Sequence, residues 1–151
     1  LAEREKQAAE AKALKEKMLQ EQAKAKAAIS GAVVVTLIAK RELPKNYDFS
    51  RYSEEQQFVI GVHNKSEKEI SGVKGSLDFV DIFDKKVGSV GFSISEKIKV
   101  GGDAKWTGVR NYNQFIDTHK AVWNLEEGKY TTRFKPEMII FSDGTKLTVP
   151  E

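Results

Sequence analysis

Two histidines and a nearby aspartate are the residues of this 151-residue chain best suited to acid–base chemistry. Asp117 precedes His119 by two positions, and a carboxylate so placed can orient an imidazole that acts as a general base. No convincing nucleophile accompanies this pair in the sequence. His63 alternates with the apolar residues of its own segment, so we expect it to face outward. The sequence therefore favours ordinary surface histidines, with a ligand-binding or hydrolytic β-sandwich that uses the loop around Asp117 and His119 as the alternative.

Metal binding has few candidate ligands in this sequence. The chain has no cysteine, which excludes disulfides, thiolate nucleophiles and cysteine-bound zinc, and two histidines are too few for a multi-histidine site. Asp78, Asp81 and Asp84 recur at every third position, but lysines follow directly, and a calcium loop needs more oxygen ligands. Glu126 and Glu127 are adjacent, so in a strand they point to opposite sides, and we expect them to lead into a turn at Gly128. We predict no catalytic residue, no metal ligand, no cofactor and no enzymatic activity.

Six aromatic residues fall in two irregular segments between strand-like runs. They are Tyr47, Phe49, Tyr52, Tyr112, Phe115 and Trp123. Aromatic side chains on loops at one end of a sandwich can form a partner-binding surface, or they can plug the end of the core. Long irregular loops must bury something to stay ordered, so plugging is favoured, and the six residues are kept as candidate partner-binding residues.

The helix that precedes these segments is predicted from composition. Residues 1–29 consist mainly of Ala, Glu, Lys, Gln and Leu without glycine or proline, which predicts a helix about 40 Å long. Its best heptad seam has only Leu14 and Met18 as large apolar residues, and Glu21 interrupts it. We therefore interpret residues 1–30 as a helical stalk or linker, with self-association through residues 1–29 as the alternative.

Residues 31–151 have the pattern of an antiparallel β domain. Seven to eight short runs alternate between apolar and polar residues, and turn signals separate them. The dipeptide Asp143-Gly144 between two such runs predicts a hairpin, and a shift of the apolar phase near Asp81 predicts a bulge or bend. No alternation of strands and helices occurs, so the physics favours a mostly β sandwich or barrel behind one long N-terminal helix.

The net charge is unevenly divided between the helix and the β domain. The net charge is +3; residues 1–29 hold seven basic and five acidic residues, and the rest of the chain holds 18 basic and 17 acidic. A nearly neutral domain lacks the basic face that binds phosphates, so nucleic acid is not an expected partner. The chain has no run of 18 apolar residues, so no transmembrane segment is predicted in it.

Three consecutive segments carry a family resemblance. They are FVIGVHNKS at 58–66, ISGVKGSLDFVD at 70–81 and FDKKVG at 83–88. Their order, Asn-x-Ser, strand, aromatic-x-Asp, turn and Val, resembles the FxLYD-type immunoglobulin-like modules of bacterial cell-envelope proteins and lipoproteins. Phe79-Val80-Asp81 stands where the motif of that family has Leu-Tyr-Asp. The resemblance implies an immunoglobulin-like β-sandwich of seven to eight strands over residues 31–151, on the periplasmic or extracellular side of a bacterial membrane.

These inferences combine into one expected function. We expect a non-enzymatic cell-envelope protein, a β-sandwich interaction module on a helical spacer that binds another protein or an envelope polymer. Any signal peptide or lipid-bearing anchor of such a protein would lie upstream of Leu1. The alternatives are the site around Asp117 and His119, and a structural protein that oligomerises through its helix.

Overall fold

A long helix opens the chain. The computed structural model describes residues 2–49, 53–113 and 115–150, and helix α1 covers Ala2–Ala32. The side chains of residues 2–21 are exposed, whereas Gln22, Ala25, Ile29 and Ala32 are partly or fully buried. Their spacing of three or four residues places them on one face of the helix. The predicted helix is confirmed, and its last turn is held by the two apolar residues that enter the core.

Seven strands follow α1 in the described residues. They are β1 (Val33–Leu43), β2 (Glu55–Asn64), β3 (Ile70–Asp81), β4 (Lys86–Ile94), β5 (Asp103–Asn111), β6 (Tyr130–Phe141) and β7 (Lys146–Thr148). A second helix, α2 (Asp117–Trp123), lies in the connection between β5 and β6 and has no counterpart in the sequence prediction. The Asp143-Gly144 hairpin is confirmed, since β6 pairs with β7 across it. The irregularity expected near Asp81 is found as a register shift between Phe79 and Val80.

The strands form two antiparallel sheets that pack as a sandwich. One sheet has the order β1-β2-β5 and the other has the order β4-β3-β6-β7. The prediction of a mostly β, antiparallel fold behind a long helix is therefore confirmed. Along β2 every second residue is buried, from Gln56 through Phe58, Ile60 and Val62 to Asn64. This alternation gives the sheet one face toward the core and one toward solvent.

Aromatic rings join the two sheets in the core. The ring centroids of Phe58 and Phe79 are 5.7 Å apart, and those of Phe79 and Tyr130 are 5.8 Å apart. Phe58 and Phe79 are 1% and 0% exposed, and burial of each such side chain contributes about 1.5–3 kcal/mol. Because Phe58 lies near the start of β2 and Phe79 near the end of β3, the two sheets are packed with these termini at the same end.

The antiparallel order sorts the connections into two ends. The helix end contains the junction of α1 with β1 and the connections 65–69, 95–102 and 142–145. The aromatic end contains the connections 44–54, 82–85 and 112–129. α1 contacts β1, β6 and β7, so its last turns close one open side of the sandwich. α2 packs on β4, where a Cβ at Gly88 would lie 2.5 Å from the side chain of Val122.

A buried asparagine fastens the helix end. Asn64 is 0% exposed, and its side-chain amide donates to the carbonyl oxygens of Lys68 at 2.8 Å and Ile98 at 2.9 Å. Its side-chain oxygen accepts from the backbone N–H of Ser66 at 3.0 Å and from the Ser66 hydroxyl at 2.7 Å. The side chain thereby ties the connection between β2 and β3 to the one between β4 and β5.

Candidate functional site

The register of the three-stranded sheet brings the two aromatic loops together. Leu43 at the end of β1 pairs with Glu55 at the start of β2, and Glu55 pairs with Asn111 at the end of β5. The backbone N–H of Tyr112 donates to the carbonyl of Glu54 at 2.8 Å, which joins the loops directly. A cavity of about 380 Å³ lies between them, lined among others by Lys45, Glu54, Tyr112, Asn113 and Phe115.

The predicted aromatic residues divide into two groups. Tyr112 and Trp123 are partly buried, and their ring centroids are 4.2 Å apart. They therefore bury part of each other's surface at this end of the sandwich. Tyr47 is 68% exposed and Phe115 is 85% exposed, so neither serves the core. Tyr52 and the side chain of Phe49 lie outside the described residues.

Two exposed apolar residues at this end were missed by the sequence analysis. Ile82 is 68% exposed and Phe83 is 82% exposed, and both lie in the turn between β3 and β4. The carboxylate of Asp81 holds this turn by accepting the backbone N–H groups of Phe83 at 2.9 Å and Lys85 at 3.0 Å. The sequence contains a signal for the turn, since Asp81 and Asp84 flank the pair and the apolar phase shifts near Asp81.

Ile116, which is 42% exposed, completes a set of exposed apolar residues at the aromatic end. We call this set the apolar patch, and it consists of Tyr47, Ile82, Phe83, Phe115 and Ile116. Its members come from all three connections of this end, which belong to both sheets. Exposed apolar residues on loops that a rigid scaffold presents at one end are typical of interaction surfaces.

The clustered carboxylates have local structural roles. Asp81 holds the turn, Asp84 forms an ion pair with Arg133, and a carboxylate oxygen of Asp78 lies 3.5 Å from the amine of Lys86. Within residues 2–49, 53–113 and 115–150, no group of three or more potential metal ligands converges. Glu126 leads the turn at Gly128, as expected, since its carbonyl accepts from the N–H of Lys129 at 3.0 Å.

The imidazole of His119 is bonded to the backbone. The Nδ1 of the ring accepts from the backbone N–H of Asn113 at 3.3 Å, and the backbone carbonyl of His119 accepts from the side-chain amide of Gln56 at 3.2 Å. Desolvation, and then the positive charge of Arg110, lower the pKa of His119, so the ring is neutral at pH 7. None of the ion pairs between described residues joins Asp117 to His119. A role of these two residues in binding or hydrolysis stays a prediction.

The other histidine lies at the surface, as its position in the sequence predicts. The side chain of His63 is 42% exposed, and its Nδ1 lies 2.9 Å from the carboxylate of Asp103 on the neighbouring strand. An exposed pair of this kind contributes little to stability. We therefore describe this pair as a surface contact between β2 and β5.

The first two-thirds of α1 project without a covering element. Leu14 is 60% exposed, Met18 is 44% exposed and Leu19 is 54% exposed. Further along the helix, the side-chain amide of Gln22 donates to the carbonyl of Pro150 at 3.0 Å. None of the helices formed by the described residues is both long and apolar enough to cross a membrane.

Comparisons with known proteins give structural likenesses alone. No family model matches the chain, and no curated protein matches it. A similar solved structure is the X-ray structure of Northeast Structural Genomics Consortium target SoR45, at 12% identity. The likeness covers 78% of this chain and 79% of that chain with a TM-score of 0.33. At this TM-score it carries no argument about the fold or the function of this protein.

Proposed function

We propose that this protein is a non-enzymatic interaction module of the cell envelope, which binds a partner protein or an envelope polymer through the apolar patch. The observation that carries the proposal is the exposure of Phe115 and Phe83, 85% and 82%, on loops of different sheets that share one end. Exposed phenylalanine rings add nothing to the core and favour association when a partner removes them from water.

The distribution of the strands supports an immunoglobulin-like sandwich. In a seven-stranded immunoglobulin domain of the constant type, strands one, two, four and five form one sheet and strands three, six and seven form the other. Here the first, second and fifth strands share a sheet, and the third, sixth and seventh share the other. The fourth strand differs, because it pairs with the third strand. Greek-key sandwiches of this type present their loops at two ends, which suits a binding module.

The envelope placement is supported by the sequence resemblance to FxLYD-type modules. The buried Asn64 of the Asn-x-Ser segment has a structural role that such a module can use, since it fastens two connections. The exposed residues 2–21 of α1 form a spacer of about 30 Å, which suits a head held away from a membrane. The test of the placement is fractionation of cells that express the natural gene, and recovery of the protein in the cytoplasm contradicts it.

The binding role of the patch is tested by site-specific photocrosslinking in the cells of origin. A photoreactive phenylalanine analogue replaces Phe115 or Phe83, and the matched control carries it at Val100, which is 57% exposed at the helix end. We expect the same discrete adduct from both patch positions and no such adduct from Val100. Adducts that are identical at all three positions, or absent from both patch positions, contradict the proposal.

Self-association through α1 is a second candidate function, favoured by the exposure of Leu14, Met18 and Leu19. Leu14 and Met18 are four residues apart and so lie on one face of the helix. Sedimentation of the full chain is compared with that of a variant in which Leu14 and Met18 are both replaced by Glu. A dimer that the double substitution dissociates supports this function, and a monomer at all concentrations removes it.

A further inference from the structure

On the side of the sandwich opposite α1, two edge strands approach each other. β4 and β5 are each the last strand of their sheet, and they border this side. Two adjoining cavities of about 290 Å³ and about 280 Å³ lie along it and share Gly91 and Trp106. We call this feature the edge groove, and its lining includes Phe58, Gly91, Phe92, Trp106, Val109 and Arg110. Its second cavity is also lined by Lys74 and Glu137, which form an ion pair with each other at 3.8 Å.

An arginine with unusual surroundings lines the edge groove. The Nε of Arg110 donates to the side-chain oxygen of Gln56 at 2.8 Å, and its Nη1 donates to the carbonyl of Ser89 at 3.0 Å. The guanidinium carbon lies 5.1 Å from the ring centroid of Phe58. Gln56 is itself 1% exposed and is held by the carbonyl of His119. These contacts fix the guanidinium in one orientation.

The positive charge of Arg110 has no negative partner among the described residues. Its hydrogen-bond acceptors are a neutral amide and a neutral carbonyl, and none of the ion pairs between described residues includes it. Its Nη2 is buried and has no hydrogen-bond partner in the described part of the chain. Desolvation lowers the pKa of Arg110. An unsatisfied donor on a desolvated cation is costly, so this position favours the arrival of an anionic acceptor.

The walls of the groove fit an extended chain. The indole of Trp106 lies flat along its own strand, since a Cβ at Gly108 would come within 2.0 Å of it. The same ring packs on Phe92 of β4, with centroids 6.2 Å apart. A Cβ at Gly91 would meet nothing within 4 Å, so the β4 side is unobstructed there. The outer edges of β4 and β5 offer backbone N–H and C=O groups along the groove.

We propose that the edge groove binds an extended segment of a partner protein that carries an Asp or Glu side chain, whose carboxylate pairs with the positive charge of the Arg110 guanidinium. The proposal rests on the role of the chain as an interaction module and names a second surface for it. A peptide is the occupant because the free strand edges can pair with its backbone, which a small carboxylate lacks. Charge complementarity selects an acidic segment, because the unpaired guanidinium is fixed and desolvated.

Selection from a library of random eight-residue peptides displayed on phage, with the full chain as bait, tests the proposal. We expect the enriched peptides to carry Asp or Glu at a fixed position. Replacement of that residue by Asn or Gln in the peptide is expected to weaken binding about tenfold or more. This comparison uses the unchanged protein, so it does not depend on the folding of a variant.

Variants of the protein assign the contact to Arg110. We expect Arg110→Gln to remove the preference for the acidic peptide and Arg110→Lys to retain part of it, because Lys keeps the charge without the planar fork. The matched control is Arg133→Gln, since Arg133 is an exposed arginine that pairs with Asp84 at the surface. The control should bind the selected peptides as the natural protein does.

The two tryptophans of the chain report which surface is occupied. Trp106 lines the edge groove and Trp123 lies at the aromatic end, so their indole N–H resonances in a ¹⁵N spectrum separate the two sites. A shift of Trp106 on addition of the acidic peptide supports the proposal. Peptides that shift Trp123 alone overturn it while the proposed function of the apolar patch survives.

Two further outcomes also overturn the proposal. They are a selection without acidic enrichment, and acidic peptides that bind Arg110→Gln with unchanged affinity. Inward-pointing charges in some proteins keep a free strand edge from pairing. If that is the whole role of Arg110, the selection yields no acidic peptide.

Discussion

The two ends of the sandwich differ in how their polar and apolar side chains are used. The inward-facing row of β2 runs between them, with Gln56 near the aromatic end and Asn64 at the helix end. At the helix end, Asn64 uses its amide and its oxygen within the fold, and Ile29, Ile70 and Ile98 are 0%, 0% and 1% exposed. At the aromatic end, the rings of Phe83 and Phe115 are 82% and 85% exposed.

The side chains of the helix end therefore contribute to stability, whereas the exposed side chains of the aromatic end are available for binding. The contacts that close the helix end connect segments distant in sequence, so they contribute to the cooperative unit of the fold. In the apolar patch, the rings of Phe83 and Phe115 are 82% and 85% exposed, so a partner can remove them from water. We therefore expect substitutions at the two ends to have opposite consequences, with loss of stability at one end and loss of binding at the other.

The largest effect is expected for Asn64→Ala. The substitution removes the hydrogen bonds that the 0% exposed side chain of Asn64 makes to the carbonyls of Lys68 and Ile98 and to the N–H of Ser66. We expect the free energy of unfolding to fall by about 3 kcal/mol, as measured by urea denaturation.

Asn113 offers a matched control for this prediction at the other end. Its side-chain oxygen accepts the N–H of Phe115 at 2.9 Å, the same two-residue turn that Asn64 makes with Ser66, but it is exposed. Asn113→Ala should cost less than about 1 kcal/mol. Equal losses in the free energy of unfolding would show that the two asparagine side chains stabilise their ends to the same extent, which contradicts the prediction.

A somewhat smaller effect is expected for Ile29→Ala. Ile29 is 0% exposed and seats the last turns of α1 in the core, so truncation removes apolar contacts and leaves a cavity. We expect a loss of about 2–3 kcal/mol in the same assay. Leu14→Ala is the control, because Leu14 is 60% exposed on the same helix, and it should change stability by less than about 0.5 kcal/mol. A small loss for Ile29→Ala contradicts the anchoring of α1.

Much of the fold follows from local patterns in the sequence. The alternation from Phe58 to His63 predicts β2, because the side chains of a strand point to its two faces in turn. The dipeptide Asp143-Gly144 predicts its hairpin, because Gly144 adopts a φ of 90° that few other residues tolerate. Composition predicts α1, since its residues are strong helix formers.

The site depends on long-range pairing that local patterns do not contain. Which loops meet is decided by the order of the strands, and the order β1-β2-β5 brings Glu54 to Tyr112. α2 lacks a start signal, because Ile116 is at its N-cap and no side chain caps it. Arg110 lies on the same side of β5 as Ala104 and Trp106. It becomes a candidate binding residue only because it has no acidic partner among the described residues, and this is visible only once the two sheets are packed.

A pH-dependent effect is expected at the helix end. The hydroxyl and the N–H of Thr145 donate to Asp143, and Lys68 lies beside it, which lowers the pKa of Asp143 from 3.8 to about 2. A carboxylate with a lowered pKa contributes stability that is present above about pH 4 and is lost as the pH falls toward 2. We expect Asp143→Asn to lower Tm at pH 6 and to match the natural protein near pH 2. A difference in Tm that is independent of pH contradicts this role.

The smallest effect on stability is expected for substitutions in the apolar patch. Its size decides whether the two ends of the sandwich differ in the way described above. Phe115→Ser and Phe83→Ser remove rings that are 85% and 82% exposed, so the free energy of unfolding should change by less than about 0.5 kcal/mol. Trp123→Ala is the control, because its ring stacks on Tyr112 at 4.2 Å and is partly buried, and it should cost about 2 kcal/mol. If Phe115→Ser or Phe83→Ser costs as much as Trp123→Ala in urea denaturation, that ring belongs to the core and the aromatic end is closed like the helix end. If both variants keep the natural stability while the crosslinked adduct disappears, the exposed rings serve a partner.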